Sequence, residues 1–166
     1  MKNLFKVLII IVLHTNAIAQ ITVSNTMTPQ QMAQYLAGPG VTISNVTLNC
    51  PQGASGSFDG VNSNIGIDAG IVLTSGDINN VPGPNNTGSA MLDNFSPGDP
   101  DLDAIVFPDP TFDACVLEFD VTPIGDSIKF NYVFGSEEYP EYVTSFNDVF
   151  AFFISGPGVA FQNIAL

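Results

Sequence analysis

Ser127-Ile-Lys-Phe-Asn-Tyr-Val-Phe134 decides the fold class. Ile128, Phe130, Tyr132 and Phe134 occupy alternate positions, so they share one face of an extended chain. The same period of two appears upstream, in Cys115-Val-Leu-Glu-Phe-Asp-Val121 and in Val41-Thr-Ile-Ser-Asn-Val-Thr-Leu-Asn49, where it slips once, at Asn45. Ile65-Gly-Ile67 and Gly70-Ile-Val-Leu-Thr74 read as brief strands. Downstream, Val149-Phe-Ala-Phe-Phe-Ile154 is a continuous apolar run, as expected of a strand covered on both faces. Clusters of Gly, Pro, Asn and Asp, such as Val81-Pro-Gly-Pro-Asn-Asn86, punctuate these segments as turns.

One helix precedes the strands, over residues 28–37. Thr28 serves as N-cap, Pro29 takes the first helical position, Gln31 completes a capping box, and Gly38-Pro39-Gly40 ends it. Many strands, many turns and one short N-terminal helix predict a mostly β chain, a β-sandwich of jelly-roll type. The turn-rich stretch 76–113 is longer than compact domains ordinarily hold without a function for it. Val159-Ala-Phe-Gln-Asn-Ile-Ala-Leu166 reads as a strand with nothing after it. The domain is therefore expected to be truncated at its C-terminus, with an open sheet edge.

Residues 1–19 carry the three parts of a secretory signal: Lys2 and Lys6, then the apolar run Val7 to Leu13, then Ala17-Ile18-Ala19. The run is too short to span a bilayer, which takes about 20 apolar residues. The expected division is a signal peptide at 1–19, a helical N-terminal segment at 20–40 and a β domain at 41–166. Cleavage after Ala19 would release the chain to the cell exterior or surface, with no transmembrane span in the mature part.

Cleavage also removes two of the three basic residues. Lys129 then stands against sixteen acids, and one minus sixteen gives −15. Such a chain repels nucleic-acid backbones and anionic membranes. It has no Arg and no Trp, and after the loss of His14 no His. Histidine-assisted nucleophiles, ordinary zinc sites and bidentate anion clamps are thereby excluded. Only carboxylate chemistry, such as glycoside hydrolysis, stays open to an enzyme. Cys50 and Cys115 either bridge, which export permits, or remain as buried thiols.

Three acidic places stand out. Asp99-Pro-Asp101-Leu-Asp103 sets alternate carboxylates in a turn, where they can point at one cation. It is no EF-hand: Ala104 stands where that loop needs Gly, and Pro110 where it closes with Glu. Phe134-Gly-Ser-Glu-Glu-Tyr-Pro-Glu-Tyr142 crowds three acids and two aromatics at the end of the strongest strand, and Phe146-Asn-Asp148 precedes the apolar run. Glu137, Glu138, Glu141 and Asp148 would repel one another if they converged without a cation. Hard oxygen ligands without His favour Ca²⁺ over transition metals. The metal candidates are thus Asp99, Asp101, Asp103, Glu137, Glu138 and Asp148, against the plainer reading that these acids satisfy turn amides. Glu138 and Asp148 also serve as the pair a glycosidase would use, although nothing in their spacing favours it.

Gly66-Ile-Asp-Ala-Gly-Ile-Val-Leu-Thr-Ser-Gly76, Pro97-Gly-Asp-Pro-Asp-Leu-Asp103, Val116-Leu-Glu-Phe-Asp120, Phe130-Asn-Tyr-Val-Phe-Gly-Ser-Glu-Glu-Tyr-Pro-Glu-Tyr142 and Phe146-Asn-Asp-Val-Phe-Ala-Phe-Phe-Ile-Ser-Gly156 together resemble the choice-of-anchor L domain. The likeness runs from about Val41 to Leu166. It implies a bacterial secreted or surface-displayed, non-enzymatic domain at the front of a longer protein. In Bacteroidetes-like members the C-terminal tail is often a type IX secretion sorting domain. The family supplies no catalytic residues to carry over. Asn147-Asp148-Val-Phe-Ala-Phe-Phe153 alone is also similar to the sugar-binding strand of legume-type lectins. The expected function is adhesion or ligand display with calcium as a stabiliser and an extracellular glycan or protein as partner. The alternatives are a lectin or glycoside hydrolase, and an inert structural spacer.

Overall fold

A computed structural model describes residues 20–85, 87, 90–125 and 127–165. The expected signal peptide lies outside the described residues. The elements are β1 (Thr22–Ser24), α1 (Pro29–Ala37), β2 (Val41–Asn49), β3 (Ser55–Asp59), β4 (Ala69–Leu73), a 3₁₀ turn (Ile78–Asn80), α2 (Pro100–Val106), β5 (Val116–Pro123), β6 (Phe153–Gly156) and β7 (Val159–Asn163). Strand outweighs helix, and every strand pair is antiparallel: β1-β3-β4, β2-β5 and β6-β7. The mostly β expectation holds. A jelly roll, eight strands in two sheets, is a finer arrangement than these seven strands define.

α1 forms as its sequence dictates. The Thr28 side chain accepts from the Gln31 amide, the Gln31 side chain accepts from the Thr28 amide, and Pro29 sits where its missing N–H costs nothing. Gly38 closes the helix at φ 69, a conformation glycine adopts freely. α1 lies against β2, β4 and β5. Its Met32 and Ala33, with Ala54 and Ile78, are the fully buried apolar residues among those described.

β2 and β5 pair from Val41↔Pro123 to Asn49↔Val116, with one irregularity between Ser44 and Thr47. The break in alternation at Asn45 marks this bulge. Asn45 takes φ 51, which asparagine tolerates better than most residues, and its amide donates to Asp120 Oδ2 at 2.6 Å. The next rung after Asn49↔Val116 is Cys50 and Cys115, which form a disulfide. Gly56 in β3 is required by close approach: an added Cβ would collide with Ser24 O and Ile78 Cδ1.

Four expectations need correction. A second short helix, α2, joins the expected one, because Asp99 caps it and Pro100 opens it. Residues 65–67 form no strand, the first two being a bend. Residues 127–134 contain no hydrogen-bonded strand, and the apolar run 149–154 is strand only at its end. The alternation at 130–134 is nonetheless expressed in the side chains. Phe130 stacks on Phe152 at 3.8 Å and Tyr132 meets Phe150 at 5.1 Å, both on one antiparallel register. No described helix is long and apolar enough to cross a membrane.

Candidate functional site

The carboxylates of Glu137, Glu138 and Asp148 come together although ten residues separate the last two. The intervening chain folds back through successive turns over residues 137–145. Tyr142 N–H donates to Glu138 O, and Ser145 and Phe146 N–H both donate to Tyr142 O. Thr144, at φ 77, donates its N–H to Asn147 Oδ1 at 3.2 Å. Each turn reverses the chain a little, and their sum returns Asp148 to the start of the loop.

Ligand oxygens of the three carboxylates lie within 4.8 Å of one another, the one such group of acids among the described residues. Two oxygens bound to a single Ca²⁺ are separated by at most about 5 Å, since each sits near 2.4 Å from the ion. The donor set therefore fits a hard cation in chemistry and in spacing. No ion pair to a lysine or N-terminus accompanies these acids among the described residues, so no internal cation offsets them.

The Glu138 carboxyl is held above its ordinary range. Burial is the largest cause, followed by the hydrogen bond and the negative charge of Asp148, with Glu137 adding to the repulsion. A proton at Glu138 does what a cation would do, namely offset the charge of its neighbours. In linkage terms, a raised folded-state value favours folding at low pH. That contribution is lost as pH climbs through it.

Ser136 Oγ bonds Glu138 Oε2 at 3.2 Å and accepts from the Glu138 amide at 3.2 Å, fixing where that carboxylate begins. Asn85, from the long connection before α2, donates to Glu137 O at 3.4 Å. Beside the acids opens a cavity of about 430 Å³ whose walls include Phe134, Tyr139, Phe146 and Asn147. Its rings are half exposed or more: Phe134 50%, Phe146 64% and Tyr139 71%. Alternation identifies Phe134, but no sequence signal indicated that Ser136, Asn85 or Asn147 would brace this loop.

The remaining candidates sit elsewhere and have other partners. Asp99 caps α2, its carboxylate accepting from the amides of Asp101 and Leu102 at 2.9 and 3.3 Å. Asp103 Oδ1 accepts from Thr111 N and Oγ1 at 2.6 and 2.7 Å. These two bonds, the hydroxyl first, hold the Asp103 carboxyl below its ordinary range. Asp101 is exposed on the first turn of α2. The structure does not bring these three together with one another in the manner of Glu137, Glu138 and Asp148.

In comparison with known families, the model of the Choice-of-anchor L domain matches residues 20–166. No curated protein and no solved structure matches the chain.

Proposed function

Because the chain belongs to the choice-of-anchor L domain family, whose members are surface-associated and not known for catalysis, we propose that it is an exported, non-catalytic module for adhesion or ligand display, stabilised by Ca²⁺ at Glu137, Glu138 and Asp148. The observation that carries the calcium part is the convergence of three carboxylates with no ion pair to them among the described residues. With one oxygen from each, the three side chains supply fewer ligands than the six to eight Ca²⁺ takes, so water or a ligand oxygen completes the shell.

Calcium bound to the folded form alone raises its stability by mass action, by about 2.7 kcal/mol at a hundredfold excess over Kd. Thermal melts in Ca²⁺, in Mg²⁺ at matched ionic strength and in chelator test this. The melting temperature is expected to rise with Ca²⁺ more than with Mg²⁺, and the difference to vanish in Glu138→Gln and Asp148→Asn. An equal response to both ions would reduce the effect to general screening of the chain's negative charge and remove the calcium site. Sequencing the N-terminus of the exported protein tests the rest, with Gln20 expected first.

The cavity favours one second reading, carbohydrate binding at the same place. Aromatic walls can stack on the apolar faces of sugars, while Asn147 and a bound cation would meet hydroxyls. A glycan array read with and without Ca²⁺ distinguishes this from an inert spacer. Release of reducing sugar from any bound polysaccharide would convert the binder into a hydrolase.

A further inference from the structure

Phe95 is 90% exposed, the most exposed large apolar residue among those described, and hydrogen bonds hold the backbone on both sides of it. It sits at φ 54, in the left-handed region that a residue with a Cβ occupies at a cost. An aromatic side chain, unlike Asn or Asp, has no local hydrogen bond to lower that cost. The chain holds it there from both sides. Asn94 N–H donates to Asp113 Oδ2 at 2.9 Å, Phe95 N–H to Asp93 Oδ1 at 2.8 Å, and Ser96 N–H to Asp113 Oδ1 at 2.6 Å. Asp113 is the one buried charged residue described. It too is left-handed, at φ 52, and its N–H donates to Ser96 O. The Asn94 side-chain amide then ties the turn to the end of β4 through Ser75 O and Gly76 O, at 2.8 and 3.0 Å. Strained backbone persists where its surroundings over-determine it, and such places concentrate at functional positions. These bonds fix the turn from which the phenyl ring projects into water.

The surroundings of that ring describe what it meets. Phe107 and Phe112, on the same 93–113 segment, are 83% and 71% exposed. The segment carries Asp93, Asp99, Asp101, Asp103, Asp109 and Asp113 and no lysine or arginine. A second copy would bring the same negative charge to the contact, and an anionic lipid surface would do likewise. A projecting ring suits a concave apolar pocket, and the carboxylates of the segment that bears it suit a basic rim. Buried aromatic anchors carry most of the energy of protein interfaces, and complementary charge sets partner and on-rate. We propose that Phe95 is the anchor of a protein-binding surface whose partner presents an apolar pocket edged by lysine or arginine. This surface depends on neither the carboxylate cluster nor the cavity beside it.

The test selects a random cyclic-peptide library on the full chain, with Phe95→Ser as counter-target. Support is the recovery of Lys- or Arg-containing apolar peptides that lose about tenfold or more in affinity on Phe95→Ser. Their binding should also weaken with salt and in the double variant Asp101→Asn, Asp109→Asn. Phe95→Gly keeps the left-handed backbone and removes the ring, so it is expected to melt no lower than the wild type while losing the peptide. That combination separates lost recognition from lost folding. Peptides that bind Phe95→Ser equally well, Phe95-dependent binding indifferent to salt, or failure to recover any Phe95-dependent peptide would each overturn the proposal. Self-association of the wild type abolished by Phe95→Ser would put a second copy in the partner's place and overturn it as well.

Discussion

The β2–β5 pair and the aromatic segments 130–134 and 150–152 begin from the same kind of sequence and end differently. Both alternate or nearly so, and both align antiparallel. Residues of β2 and β5 form a registered ladder, carry α1 across them and close in a disulfide. The aromatic segments bring Phe130 to Phe152 and Tyr132 to Phe150, yet they form no strand pair there and leave Tyr132 43% and Phe134 50% exposed. The difference is cover. Periodicity names the two faces of an extended chain, but an isolated two-stranded ribbon is marginal until something packs on its apolar face. α1 does so for β2 and β5.

Amide hydrogen exchange would break the comparison outright if residues 130–152 proved as protected as β2 and β5. The largest effect expected from substitution is at the disulfide. Replacing Cys50 and Cys115 with serine should lose about 4 kcal/mol in chemical denaturation, from the entropy of a loop closed across 65 residues. Next comes the core contrast. Met32→Ala should cost about 3 kcal/mol, whereas Phe161→Ala, 56% exposed though stacked on Phe153, should cost no more than about 1 kcal/mol. Equal losses at the two positions would dissolve the distinction between covered and uncovered apolar surface. Thr28→Ala should remove about 1 kcal/mol through the α1 cap, and Thr28→Ser should retain most of it. The smallest expected effect is that of Asp103. Its folded-state carboxyl lies below the ordinary value, so its contribution is present above that value and lost as pH falls through the lowered one. Melts from about pH 6 to about pH 2 should show Asp103→Asn losing less stability on acidification than the wild type.

The helix α1 was legible because capping is local: Thr28, Pro29 and Gln31 act within one turn. The bulge was legible as a slip at Asn45 for the same reason. α2 carries a signal of the same type, an Asp99 cap followed by Pro100, but its alternate carboxylates also fit a cation loop and compete for the reading. β3 gave no alternation to find. Ser55–Asp59 is defined by what Gly56 allows Ser24 and Ile78 to approach. At the candidate site, residue type was legible and convergence was not. Glu138 and Asp148 meet through turns held by backbone hydrogen bonds and by the side chains of Ser136 and Asn147. Phe95 was missed altogether, since the carboxylate that positions it belongs to Asp113, eighteen residues on.

The disulfide has a consequence for survival outside a cell. Cys50 and Cys115 close a covalent ring that contains β3, β4, α2 and the turn bearing Phe95. A protease that nicks the ring once opens it but releases no fragment, because the Cys50–Cys115 bond still joins the two pieces. On a gel the nicked molecule would migrate as one species until a reductant is added.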